Sequence, residues 1–129
     1  PFEGLSQAIT YFGHVDSPEK MASIYQASDA YVTTSLEENL PNTIMEAMAS
    51  GTACVGFEVG GIPEMIDHQE NGYVAKAFEV ADFAEGMLVV LEKSEVFGES
   101  ARQKVLKNYT EEVIVKKHLT FYQDCLEHV

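Results

Sequence analysis

Apolar and polar positions along this chain fall into two rhythms. Ala8–Val15 (AITYFGHV) is a short β-rich run ending at Gly13, and Asp29–Ser35 (DAYVTTS) and Ala53–Val59 (ACVGFEV) are nearly continuous apolar runs, as strands buried on both faces would be. Between the first two lies SPEKMASIYQAS, with Ser17 placed to cap a helix, Pro18 at its first position, and Met21, Ile24 and Tyr25 on one face. A small-residue helix follows Pro41. GGIPEMI (Gly60–Ile66) turns and restarts a short helix at Pro63, and an Asn-Gly turn introduces a last short strand, Asn71–Ala75. From there the pattern is helical, over Val80–Glu92, Val96–Tyr109, and from Thr110 onward. Thr110 is a good N-cap, and Glu111 and Glu112 sit where the helix dipole favours negative charge. The alternation of apolar strands with helices predicts an α/β fold, a Rossmann-like parallel sheet of about four strands flanked by helices in three layers. One domain is expected over 1–129, with an α/β core over 1–79 and C-terminal helices over 80–129.

Composition narrows the options. At 129 residues and 46% hydrophobic, the chain has room for one core and contains no membrane-length apolar run. PFEGLSQAIT has no basic stretch leading into an apolar one, so no secretory signal is read, and it lacks an initiating Met, as an excised piece of a longer chain would. A net charge of −13 with only 8 Lys and Arg argues against nucleic acid and anionic lipid as partners. Cys54 and Cys125 have neither CxxC spacing nor histidines at metal spacing; reduced, buried thiols and no metal are expected. Asn108-Tyr109-Thr110 reads as a helix boundary rather than a glycosylation site.

In parallel α/β sheets, ligands lie beyond the carboxyl ends of the strands. Three loops qualify here: Gly13-His14-Val15, Ser35 to Thr43, and Val59-Gly60-Gly61. Pro41 lacks an N–H, which suits a helix start, and the amides of Asn42 and Thr43 would point out of the helix end along a positive dipole, as a phosphate site requires. Leu40 offers no side-chain cap. Either an external anion satisfies the open donors or, if the helix starts earlier, Asn39 does. Asn42, Glu46 and Ser50 share one helix face, opposite Ile44 and Met48. A carboxylate at Glu46 can accept two hydrogen bonds from a vicinal diol such as a ribose, and Glu38, in the loop, can reach a hydroxylated group beyond the phosphates. The competing view makes both glutamates solvated surface acids on a non-catalytic α/β protein-interaction module. An epimerase of the same sheet type would need an early GxGxxG turn or a Tyr-x-x-x-Lys pair, and neither is visible.

The stretch EENLPNTIMEAMASGTACVGFEVGGIPEMI resembles the signature region of the retaining, nucleotide-sugar-dependent glycosyltransferases of the GT-B fold, family 4. That region has two glutamates separated by seven residues, then Ala-hydrophobic-Ala-x-Gly, then a strand ending in Gly-Gly-x-Pro-Glu. Glu38 and Glu46 fall on the glutamates, Gly51 on the glycine, and Gly60-Gly61-Ile62-Pro63-Glu64 on the last element. The likeness runs from about Ile9 to Ala75, with a looser helical fit through Tyr122. It implies that Glu46 binds the donor ribose and that Glu38 lies by the donor sugar and reaction centre. It also implies that backbone around Asn39, Leu40, Asn42 and Thr43 contacts sugar and phosphate, and that the base packs near Gly13, His14 and Val15. His14 is read equally as a base partner or as a plain loop histidine, and Glu64 as capping the helix at Pro63 in preference to touching a phosphate-side water network.

The donor would be a nucleotide diphosphate sugar, with no cofactor and no metal expected. The acceptor, a glycan or lipid-linked glycan, would be held by an N-terminal domain not in this chain. A cytoplasmic location is implied, at most peripheral to the inner membrane face. Two features depart from the family. Asn39 and Leu40 replace the usual Gly and aromatic after the first glutamate, which bears on sugar preference. Between Lys20 and Lys76 there is no Lys or Arg, where the family supplies both from an earlier strand-loop. The expectation is therefore a truncated domain with an exposed sheet edge, a tendency to self-associate, and weak or absent donor binding on its own.

Overall fold

A computed structural model describes residues 6–128, so the first half of the N-terminal stretch read for a signal lies outside the described residues. The elements run α1 (Pro18–Gln26), β1 (Tyr31–Thr33), α2 (Asn42–Ala49), β2 (Cys54–Phe57), α3 (Ile62–Met65), β3 (Gly72–Ala75), α4 (Val80–Glu92), α5 (Ser94–Asn108) and α6 (Glu111–Glu127). The three strands form a parallel sheet in the order β1-β2-β3, with Tyr31 opposite Cys54 and Val55 opposite Tyr73.

Alternation along β2 builds the two cores. Cys54 faces Ile44 and Met48 of α2, Ile62 of α3, and Ala101 and Val105 of α5. Val55 and Phe57 face the other way, with Tyr73 and Ala75 of β3, against Phe83 and Val90 of α4 and Phe97 at the start of α5. The result is three layers, helix–sheet–helix, with β2 buried along its whole length. α4 and α5 thus complete the core. Gly86 lets α4 lie directly on the Tyr73 ring, since a side chain there would overlap it.

Local signals set several boundaries. Ser17 caps α1, its hydroxyl accepting the Lys20 N–H at 3.2 Å, and Pro18 opens the helix. Thr110 caps α6 through the Val113 N–H, and Asn108 closes α5. Buried Asn71 closes the turn before β3, with Oδ1 accepting the Asp67 N–H at 2.9 Å and Nδ2 donating to Asp67 Oδ2 at 3.0 Å.

Four expectations are corrected. Ala8–Val15 is irregular, with Tyr11 92% exposed, and the sheet has three strands among the described residues. β-Propensity needs a neighbour to complete a ladder, and no described strand runs beside that segment. The strand expected over Asp29–Ser35 is only Tyr31–Thr33, and it is half-open because β1 is an edge among the described strands; Val32 is 41% exposed. Cys54 is buried as expected, but Cys125 is exposed, because α6 buries none of its side chains. Glu64 lies in the first turn of α3, yet no side chain caps that helix; its contribution is a backbone carbonyl that accepts from Lys104 Nζ at 2.8 Å.

Asp82, in the first turn of α4, ties that helix to the end of β3. Its carboxylate accepts the Lys76 N–H at 2.7 Å and the Tyr73 hydroxyl at 2.8 Å. The Lys76 amide, and then the Tyr73 hydroxyl, hold the Asp82 carboxyl below its ordinary value, while that hydrogen bond pushes Tyr73 up to about 12. A carboxyl depressed in the folded state stabilises the fold above its unfolded pKa, and the contribution is lost as pH falls through the folded value. Asp82→Asn should therefore lower the melting temperature at about pH 7, with the gap to wild type closing as pH falls to about 3 and below. Thermal melts across that range check this; a gap independent of pH would contradict it.

Candidate functional site

α2 organises the site. Its apolar face, Ile44, Ala47 and Met48, is fully buried, which turns Asn42 and Glu46 outward. Pro41 is the N-cap and no side chain caps the helix, so neither Asn39 nor Leu40 satisfies the leading amides. The N–H groups of Asn42 and Thr43 therefore stand at an uncapped positive helix end. Glu46 follows one turn on, about 6 Å along the axis.

Glu46 faces a cleft of about 500 Å³ between α1 and α2, which Val15, Met21, Tyr25 and Ala49 also line. The Tyr25 ring is buried edge-on against Tyr31, and its hydroxyl reaches Glu46 Oε2 at 3.4 Å, a long hydrogen bond. Burial, and then the Glu46 carboxylate, raise the Tyr25 hydroxyl to about 12, so it stays a donor at neutral pH. The cleft thus has apolar walls and two carboxylates, Asp16 and Glu46: a surface for a flat ring and acceptors for hydroxyls.

Glu38 is held by a separate set of contacts. Ser35 Oγ donates to Glu38 Oε1 at 2.8 Å, and Thr33 Oγ1 lies 3.0 Å from Ser35 Oγ. Behind the loop, the Gly61 N–H donates to the Asn39 carbonyl at 2.6 Å. A side chain on Gly60 would collide with the Glu38 carbonyl, and one on Gly61 with the Asn39 carbonyl. Gly60 also has φ +52°, a left-handed conformation that glycine adopts without strain. The Gly-Gly turn after β2 is therefore the seat of the Glu38 loop.

Of the residues expected in the site, Glu46 and Val15 share the cleft, while Glu38 and Asn39 sit on Gly60–Gly61. Asn42 and Thr43 stand at the head of α2, in the turn before Glu46. Gly13 and His14 do not line the cleft: Gly13 makes a left-handed turn, and His14 is exposed with Nε2 3.2 Å from Asp16 Oδ1. Leu40 is exposed over Gly61. Tyr25, Ser35 and Thr33 escaped the sequence reading. Ser35-x-x-Glu38 is the spacing of a capping box, and that was the available signal, although the pair closes a bend here rather than a helix. Nothing in the sequence marks Tyr25 as other than core.

A second cleft of about 500 Å³ is lined by Glu58, Asp67, His68, Glu70, Lys76 and Asp82. Several of its polar groups are already partnered within the protein. Asp67 pairs with Lys104 at 2.8 Å, His68 Nδ1 accepts the Val74 N–H, and Asp82 is engaged as above.

Residues 2–93 match the family model of the glycosyl transferases group 1, and the chain belongs to that family. It is 31% identical over 125 residues to the N-acetyl-alpha-D-glucosaminyl L-malate synthase of Bacillus anthracis, covering 95% of this chain and 32% of that protein. Among solved structures, sucrose-phosphate synthase from Thermosynechococcus elongatus superposes with a TM-score of 0.74 at 23% identity, over 86% of this chain and 29% of that one. The C-terminal domain of a glycosyl transferase group 1 family protein from Francisella tularensis gives 0.67 at 24% identity, over 77% of this chain and 52% of that one. At such identities the structural likeness is one of fold, the GT-B type. The chain spans about a third of the length of that Bacillus anthracis relative.

Proposed function

We propose that this chain is the nucleotide-sugar-binding part of a retaining glycosyltransferase. The base lies along the apolar wall by Val15, the ribose diol donates to Glu46, the diphosphate meets the amides of Asn42 and Thr43, and the sugar lies under Glu38 beside Asn39 and Leu40. The full polypeptide moves that sugar to an acceptor hydroxyl. The bond from the anomeric carbon to the diphosphate oxygen breaks, the bond to the acceptor oxygen forms on the same face, and the acceptor proton passes to the departing phosphate. The substrate phosphate and the polar loop stabilise the positive charge that develops on the sugar. A glycan or lipid-linked glycan, seated on a further domain, is the acceptor, and no metal is required. The Bacillus anthracis relative, whose name specifies an N-acetylglucosaminyl product, suggests a hexose-type donor. Among the described residues no helix is long and apolar enough to cross a membrane.

The supporting observation is that Glu46 and Val15 line one cleft while the uncapped head of α2 lies a single turn from Glu46. The test is calorimetric titration of the full-length polypeptide with UDP, GDP and ADP, as wild type and as Glu46→Ala. Loss of a charge-assisted diol contact should weaken the preferred nucleotide roughly 10- to 100-fold. If wild type binds none of them, or the substitution changes nothing, the donor site is wrong and the protein-interaction module takes its place.

A further inference from the structure

We infer that Ser35 is a positioning residue that aims the Glu38 carboxylate, with Thr33 behind it; this rests on the placement of Glu38 beside the donor sugar proposed above. The direction of the hydrogen bonds follows from counting protons. Ser35 has one hydroxyl proton, and the Glu38 carboxylate, 2.8 Å away, can only accept when ionised. The proton between Ser35 Oγ and Thr33 Oγ1, 3.0 Å apart, must then come from Thr33. Thr33 Oγ1 in turn faces the Ser35 N–H at 3.4 Å. The chain thus runs one way, from the Ser35 amide through Thr33 and Ser35 to Glu38 Oε1, and donors ordered in one direction polarise one another.

The relay starts from rigid structure. Thr33 is the last residue of β1, and its backbone is in register with Gly56 of the buried strand β2. The carbonyl of Glu38 is pressed onto Gly60, and the next carbonyl, that of Asn39, is bonded to the Gly61 amide. Glu38 is therefore fixed at its backbone by the turn after β2 and at its side chain by the end of β1. A carboxylate that only decorated the surface would gain nothing from both. One that must meet a particular sugar hydroxyl, or developing charge, needs an orientation fixed before the substrate arrives. The relay occupies Oε1, which leaves Oε2 as the oxygen offered to the substrate.

The experiment is a double-mutant cycle in the full-length polypeptide. Turnover is read as release of nucleoside diphosphate from UDP-glucose, UDP-N-acetylglucosamine and GDP-mannose, well below the melting temperature of each variant. Glu38→Gln and Ser35→Ala should each lower kcat about tenfold or more while KM for the donor stays within about twofold. The double variant should be no slower than Glu38→Gln alone, because Ser35 acts only through that carboxylate. Ser35→Thr, which keeps the hydroxyl, should restore most of the rate. If Glu38→Gln lowers kcat but the two losses multiply, or Ser35→Thr does not restore the rate, the positioning role is overturned and Glu38 keeps its place. If Glu38→Gln leaves turnover unchanged, the placement of Glu38 falls, and the role of Ser35 with it.

Discussion

Gly60→Ala is expected to destabilise the fold by roughly 2–5 kcal/mol, combining left-handed strain with a steric clash. The strain arises because φ is +52° at this position. The clash arises because the added methyl would occupy the space of the Glu38 carbonyl, which is backbone and has no rotamer to escape into. Relief requires the Glu38–Leu40 loop to lift away from the turn after β2. That movement also breaks the bond from the Gly61 amide to the Asn39 carbonyl. Gly51 is the internal control. It has φ +83°, but nothing lies within 4 Å of where a methyl would project, so Gly51→Ala should cost only the strain, about 1 kcal/mol. Urea denaturation of the two variants side by side checks the comparison. Equal losses would mean that the loop does not rest on Gly60.

Ile44→Ala should cost about 2–5 kcal/mol, because Ile44 is 0% exposed and sits where α2 meets β2. Its neighbour across that contact is Cys54, whose thiol points at the carbonyls of Ile44 (3.9 Å) and Thr52 (3.5 Å). Burial pushes the Cys54 thiol well above its ordinary pKa, so it is inert while α2 stays down. In a Cys125→Ser background, which removes the exposed thiol, Ile44→Ala should label with a maleimide at least tenfold faster than the parent. Leu88→Ala, at an exposed site on α4, should change stability by no more than about 0.5 kcal/mol. A similar loss at both positions would show that α2 is not seated as described.

What could be read in the chain beforehand divides along physical lines. The start of α1, both ends of α4 and the start of α6 were legible because caps, Pro and apolar spacing act within a few residues. β2 was legible because a short, continuous apolar run between Gly51 and Gly60 is too short for a buried helix and fits a strand buried on both faces. Ala8–Val15 misled because its composition has strand character but its neighbours decide whether a ladder forms. Cys125 misled because a thiol is buried only if its helix is. At the site, the helical spacing put Glu46 on the outward face of α2 and left Glu38 in the loop before it, and the structure has both there. The partners of those residues were hidden. Tyr25 looks like core until its hydroxyl is seen beside Glu46, and the Gly-Gly turn looks like punctuation until the Glu38 loop is seen resting on it. Those contacts join segments some 20 residues apart, and no local rule reaches that far; the Tyr25–Glu46 pair spans 21.

α6 bears on what unfolding means for this chain. It is 17 residues long and buries no side chain, leaving Val115, Leu119, Phe121, Tyr122 and Leu126 exposed. It is held mainly near its start, where Val113 and Ile114 are half-buried and Lys117 reaches the Asn108 carbonyl. Such a helix is closer to the helix–coil balance in water than the sheet and the helices on it, which melt with the core. No single unfolding free energy describes both: circular dichroism at helical wavelengths and a probe buried against β2 will trace different curves, and only the second reports on the site.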